Sequence, residues 1–270
     1  MKLRVLSITL LAVLLSTHAA FGAAPKPIPE PTVKEYNLLL RSIMTFEQRE
    51  SVDVGTSNEP MVSAKKYDSR ILTTQREDML PYMGELVVVR DSVAKKLAAV
   101  NARLYPQGYV LKVVYGYRHP EIQAKYFERR KAQIKKEWDE LGKKHTDDAL
   151  NRATDVFSAY PPIAGHPTGG CVDVRFVRLD DGKELDCTPA TQEMTSAEEE
   201  DVMKTFSKHI SPQQLANRMF MHETMLAEGF VPFYGEWWHF MYGDREWAAF
   251  IGEKAAMYAP VAITATDIKK

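Results

Sequence analysis

Cysteine is nearly missing from this 270-residue chain, which carries only Cys171 and Cys187. A scaffold stapled by several disulfides and a metal site built from a cysteine cluster are thereby excluded. A single bridge stays open. In an exported chain two cysteines default to one disulfide, worth about 3 kcal/mol over so short a loop. Against it, "DDGK" at 180–183 reads as a hairpin turn, which sets Cys187 opposite a residue near Phe176 and not opposite Cys171. An excess of one charge is missing too: 35 Lys and Arg stand against 36 Asp and Glu, interspersed, which argues against nucleic acid as a partner. There is no internal repeat and no low-complexity tract. The one long apolar run is too short to span a bilayer, and it lies at the N-terminus.

That run reads as an export signal. Lys2 and Arg4 precede a largely apolar stretch from Val5 to Leu15, and small residues follow in "STHAAFGAA". Residues 1–22 are therefore expected to be removed, leaving a periplasmic or secreted chain whose formal charge moves from −1 to about −3 with the loss of Lys2 and Arg4. Residues 23–270 are expected to form one domain, preceded by a proline-alternating extended leader at about 24–32.

Apolar spacing predicts a helix from about Arg90 to Leu104, with Val93, Leu97, Val100 and Leu104 on one stripe, and helical character in 36–49. "YVLKVVYGY" (109–117) reads as a buried strand, followed by a helix from Pro120 to about Leu141 that Gly142 ends. "CVDVRFVRL" (171–179) alternates as a strand, and the turn after it leads back through 183–187. Ser211 and Pro212 open a helix that stops by Gly229, and "FVPFYGEWWHFMYG" ends in a strand. Hairpin signals beside loosely alternating helices indicate α+β, with a central antiparallel sheet flanked by helices.

Six histidines remain once His18 leaves with the signal. His145 and His209 sit in polar stretches and are expected at the surface. His222 and Glu223 begin an H-E-x-x-H pattern, but Leu226 stands where the second imidazole is needed. Two clusters are left. In "HPTGGCVD", His166 and Asp173 are seven apart and would face opposite ways on a flat strand. They converge only if His166 lies on a turning loop, for which Gly169 and Gly170 give the freedom. In "GEWWHF", Glu236 and His239 are three apart, so Glu236 is expected just before the strand and His239 within it, with Gly235 letting the chain turn. Two imidazoles and one carboxylate form a three-ligand set with an open fourth position, as catalytic zinc uses, and a second carboxylate beside a bound water can carry its proton. His166, Asp173 and His239 are the candidate ligands and Glu236 the candidate base, with Trp237 and Trp238 as a water-excluding wall. From spacing alone, an aromatic core strand whose polar groups pair with one another accounts for "EWWHF" equally well. Arg118 in "YGYRHP" stands where a buried strand gives way to a helix, suited to steadying an oxyanion or to bonding a carboxylate structurally.

Together these residues resemble the LAS-type zinc peptidases, most closely the VanX-type D-alanyl-D-alanine dipeptidases. The pattern Ser-x-His-x-x-Gly-x-Ala-x-Asp lies over "AGHPTGGCVD" (164–173), Glu-x-x-His over 236–239, and Gly-Tyr-Arg-Pro over "GYRHP" with His119 inserted. The resemblance covers about 85–247. It implies one Zn2+ per chain held by His166, Asp173 and His239, with Glu236 as base, Arg118 polarising the carbonyl, and hydrolysis of a dipeptide ending in D-alanine. Ala164 replaces a serine that binds the substrate amine in relatives, Cys171 replaces an alanine, and the acid that would hold the ammonium finds only Gln192 and Glu193 near it. A D,D- or L,D-carboxypeptidase acting on longer muropeptides, and a wall-peptide binding domain that does not cut, are the other readings.

Overall fold

The computed structural model describes residues 45–189 and 196–268. The signal segment, the leader, most of the helical stretch at 36–49, and Gln192 and Glu193 lie outside the described residues. Local chemistry starts the elements where the sequence places its capping residues. Thr45 caps α1 (Phe46–Glu50) through a box with Gln48, and Ser211 caps α7 (Pro212–Leu226) through the same device with Gln214. His119 caps α4 (Pro120–Glu140), which closes before Gly142 at φ +64°.

Five strands make the central sheet, in the order β2 (Leu72–Thr73), β4 (Tyr109–Tyr115), β5 (Cys171–Arg178), β7 (His239–Met241) and β6 (Val231–Pro232). All neighbours run antiparallel except β2 and β4. A separate two-stranded ladder joins β1 (Met61–Ser63) to β3 (Val88–Arg90). Strand parity divides the central sheet into two unlike faces. Leu111, Val113, Val172, Val174, Phe176 and Phe240 pack against Val93, Leu97, Val100 and Leu104 of α3 (Asp91–Leu104) and against Met221 and Met225 of α7, forming the main core. Residues 171, 173 and 175 of β5 turn to the other face, where Asp173 pairs in register with Tyr115 on one side and His239 on the other. Helices therefore flank a mostly antiparallel sheet, the expected α+β class.

Several elements escaped the periodic signals. β1, β3 and β6 are two or three residues long, below the length at which alternation can be read. The helices α2 (Leu80–Met83), α5 (Asp147–Asp155), α6 (Ser196–Met203) and α8 (Arg245–Phe250) were also not anticipated. Segment 183–187 does return along β5, but Glu184 forms a single bridge to Val177 instead of a strand. Both cysteines are free and buried. Cys171 donates to Asp244 Oδ2 over 3.1 Å, and Cys187 lies 3.7 Å from Met221 Sδ, so no disulfide joins them.

Candidate metal centre

His166 sits on a 3-10 turn (His166–Thr168) immediately before β5, Asp173 at the third position of β5, and His239 at the first of β7. The turn answers the spacing problem, because it swings His166 over the strand face that carries Asp173. Asp173 Oδ1 lies 2.9 Å from His239 Nδ1 and 3.5 Å from His166 Nε2, and donor atoms of all three fall within 4.8 Å of one another. Ligands about 2.0–2.1 Å from a tetrahedral metal stand about 3.3 Å apart. The two separations from Asp173 bracket that value, and the donor set is of the kind that catalytic zinc uses.

The protein fixes the first imidazole from behind. His166 Nδ1 lies 2.8 Å from the Gly116 carbonyl, which can only accept, so Nδ1 carries the proton and Nε2 keeps its lone pair toward the centre. Burial, then the Arg118 charge, lowers the His166 pKa to about 4, which keeps the ring neutral. The Arg118 backbone N–H donates to the His166 carbonyl over 3.3 Å, so "GYR" braces both ring and main chain. Gly116 is needed for close packing: a Cβ there would lie 2.5 Å from the Val88 carbonyl oxygen. On the far side of the loop the buried Arg90 donates to the Thr168 and Glu59 carbonyls. Gly169 does supply a left-handed turn at φ +75°, but Gly170 serves close approach, since a Cβ would strike the Tyr242 carbonyl.

Charges around Asp173 oppose one another. Burial pushes its carboxyl upward, but the charges and hydrogen bonds of His166 and His239 outweigh this and hold it well below the usual carboxylate range. Burial works against a charged His239 as well, yet Asp173 overrides it and raises that pKa to about 9. Glu236 lies in the turn before β7, with Oε2 3.9 Å from His239 Nδ1 and its side chain 35 % exposed. Desolvation by the surrounding protein raises its pKa despite the opposing charge of His239. Arg118 emerges between β4 and α4, where Nη1 donates to Gln123 Oε1 over 2.8 Å and the guanidinium lies 4.4 Å from the Tyr115 ring centre. Its described partner is an amide, not the carboxylate that a structural arginine was expected to bond.

One expectation about the wrapper is corrected. Trp237 does not wall the metal centre but is buried in the main core, and Trp238 packs partly buried against the same core. The chain does turn at Gly235, as expected, and a Cβ there would lie 2.7 Å from the Phe233 ring. Of the histidines set aside, His222 is wholly buried beside Thr205, and His209 is partly exposed. His145 is less exposed than its polar surroundings imply, for its side chain is 15 % accessible and faces Trp138. Ala164 is buried at the loop entrance.

No curated protein sequence matches the chain. Among solved structures, a vancomycin-resistance D,D-pentapeptidase, VanY, in complex with Zn(II) is 17% identical, with 77% of this chain and 97% of that one covered and a TM-score of 0.37. The LdcB LD-carboxypeptidase is 18% identical over 68% of this chain and 71% of that one, TM-score 0.36. VanYB in complex with D-alanine-D-alanine is 14% identical over 69% and 94%, TM-score 0.37. Likeness at that level bears on no particular residue here. The family model for peptidase M15, D-ala-D-ala dipeptidase, matches residues 60–256, and the chain belongs to that family.

Proposed function

We propose that this chain is a zinc-dependent, VanX-type peptidase that hydrolyses D-Ala-D-Ala or a related D-amino-acid dipeptide of peptidoglycan metabolism, outside the cytoplasm after loss of residues 1–22. The observation that carries the reading is the meeting of His166, Asp173 and His239 around one point with Glu236 left over beside it. Zinc held by these three residues would supply Lewis acidity toward the scissile carbonyl and make a water acidic near neutral pH. Glu236 takes a proton from the attacking water and returns it to the amide nitrogen as the C–N bond breaks. A carboxyl whose pKa is raised suits both halves of that transfer. Arg118 donates to the carbonyl oxygen as negative charge grows there, an interaction whose loss costs about 3 kcal/mol of transition-state stabilisation. Gly116 keeps His166 in the ligating tautomer throughout.

The test is Glu236→Gln. The variant is expected to hold about one zinc per chain while hydrolysis of D-Ala-D-Ala falls by about 10²–10⁴-fold. A variant as fast as wild type removes Glu236 from the mechanism. A second reading, a carboxypeptidase acting on longer stems, draws on a neighbouring pocket of about 590 Å³, which Phe233, Met241 and Glu246 help to line and which the three candidate ligands, Glu236 and Arg118 do not. Phe233 stands edge-on to His239 at 5.8 Å, so that pocket adjoins the metal centre on one side, where further stem residues could lie. Higher kcat/KM on tri- and pentapeptide stems than on D-Ala-D-Ala would select this second reading.

A further inference from the structure

Arg175 has no part in the ligand set or in the proton transfer, yet it leaves β5 from the face that carries Asp173. It lies two residues beyond Asp173 on β5, and strand parity turns both to the same face. Its register partner is Lys112 of β4, and Glu184 serves both cations, at 2.8 Å from Lys112 Nζ and 3.7 Å from Arg175 Nε. One carboxylate between two cations leaves positive charge over at this end of the face. The guanidinium sits in the corner of two rings that stand at 84° to each other, with its carbon 4.5 Å from the Trp237 ring centre and 5.3 Å from that of Trp238. The same two tryptophans connect Glu236 to His239 in the chain, so the aromatic pair that does not wall the metal centre instead shelves this arginine. Nη1 donates to the Val174 carbonyl, and the side chain remains 23 % exposed. Burial lowers its pKa, opposed by the charges of Asp173, Glu184, Cys187 and Glu236.

We infer that Arg175 is the anchor for the free C-terminal carboxylate of the peptide substrate. The inference rests on the peptidase reading, and it holds for a dipeptide and for a longer stem alike, since in both the departing residue carries that carboxylate. Covalent geometry sets the carboxylate carbon roughly 3–4 Å from the scissile carbon, with its oxygens about 1 Å further out. Two residues along a strand advance about 6.6 Å, so a chain whose scissile bond lies over Asp173 and Glu236 brings its end to Arg175. A planar guanidinium whose orientation is already fixed receives a carboxylate by paired hydrogen bonds and loses little freedom in doing so. Bound this way, the leaving residue has its nitrogen near Glu236, the group that protonates it.

Binding without turnover tests the assignment. In zinc-loaded protein carrying Glu236→Gln, calorimetry compares D-Ala-D-Ala with its C-terminal amide, before and after adding Arg175→Gln. With Arg175 in place, the free acid is expected to bind roughly tenfold or more tightly than the amide. Arg175→Gln should abolish that preference and leave amide affinity unchanged. Arg175→Lys keeps the charge and the packed stem, should retain only part of the preference, and carries the test if the glutamine variant does not fold. A preference that survives either substitution undiminished, or no preference in the parent protein, overturns the inference. Hydrolysis by the otherwise wild-type enzyme is scored separately. Carboxylate-dependent binding without hydrolysis sinks the peptidase reading alone, and hydrolysis without carboxylate-dependent binding sinks the anchor alone.

Discussion

Gly165 has no room for a side chain. A Cβ there would overlap both the Cys171 thiol and the Asp244 carboxylate, whose own hydrogen bond closes the space behind the metal loop. Its φ of −76° is open to any residue, so the requirement is steric, not conformational. Gly165→Ala must push Asp244 away from Trp247 N, which it caps, or lift the next residue, His166. The expected outcome is a loss of about 1–3 kcal/mol in urea unfolding and weaker zinc retention against a chelator. Unchanged zinc affinity would show that the loop does not transmit the overlap. At this scale the sequence disclosed the side chains whose chemistry is rare and whose spacing fails on a flat strand, His166 with Asp173 and Glu236 with His239. It could not disclose Arg90, the Gly116 carbonyl or Asp244, because each acts through a partner 50 to 78 positions away.

α7 shows the same limit in an element. Its start was legible, since Ser211, Pro212 and Gln214 form a capping box that needs only neighbours. Its polar stripe was not. Gln214, Arg218 and His222, each four residues apart, share one buried face and bond distant backbone and side chains. Gln214 donates to Asp186 Oδ1, and Arg218 to the carbonyls of Cys187, Val202 and Lys204. The Val202 and Lys204 carbonyls lie at the end of α6, where a cation also meets the negative end of the helix. The segment so fixed then holds the turn of the candidate base: Thr205 N donates to Tyr234 O, and Trp237 N to Met203 O. Arg218→Met strands several buried carbonyls and is expected to cost about 3 kcal/mol or more in urea unfolding. Arg218→Lys should recover little of this, because one ammonium cannot span three separated acceptors. Near-wild-type stability in either variant would mean that water or rearrangement satisfies those carbonyls.

Across the whole molecule, fold class was legible and strand order was not. Hairpin signals gave antiparallel pairing, but placing β7 between β5 and β6, and adding β2 parallel at the far edge, depends on packing between segments 40 residues apart for β2 and β4 and 66 to 70 apart for β5 and β7. What that packing does to ionisable groups gives stability a sign with pH. Asp91 bonds Lys66 and Lys95, and these hold its carboxyl well below the usual range. Its contribution is present above the unfolded value of about 3.9 and lost as pH falls through the folded one. His222 acts earlier. Burial, aided by the Arg218 charge and against a hydrogen bond with the Trp237 backbone, lowers its pKa from 6.5 to about 3. The folded state therefore excludes a proton that the unfolded chain accepts below about 6.5, and stability falls with pH across that window by about 1.4 kcal/mol per unit from this group alone. His222→Gln removes the proton and keeps a polar side chain. Any stability advantage of wild type over this variant at pH 7 is expected to shrink steadily between pH 6 and 4 in parallel urea titrations, in which the metal ligands are common to both and cancel. A difference that stays constant over that range would place the protonation of His222 outside the unfolding equilibrium.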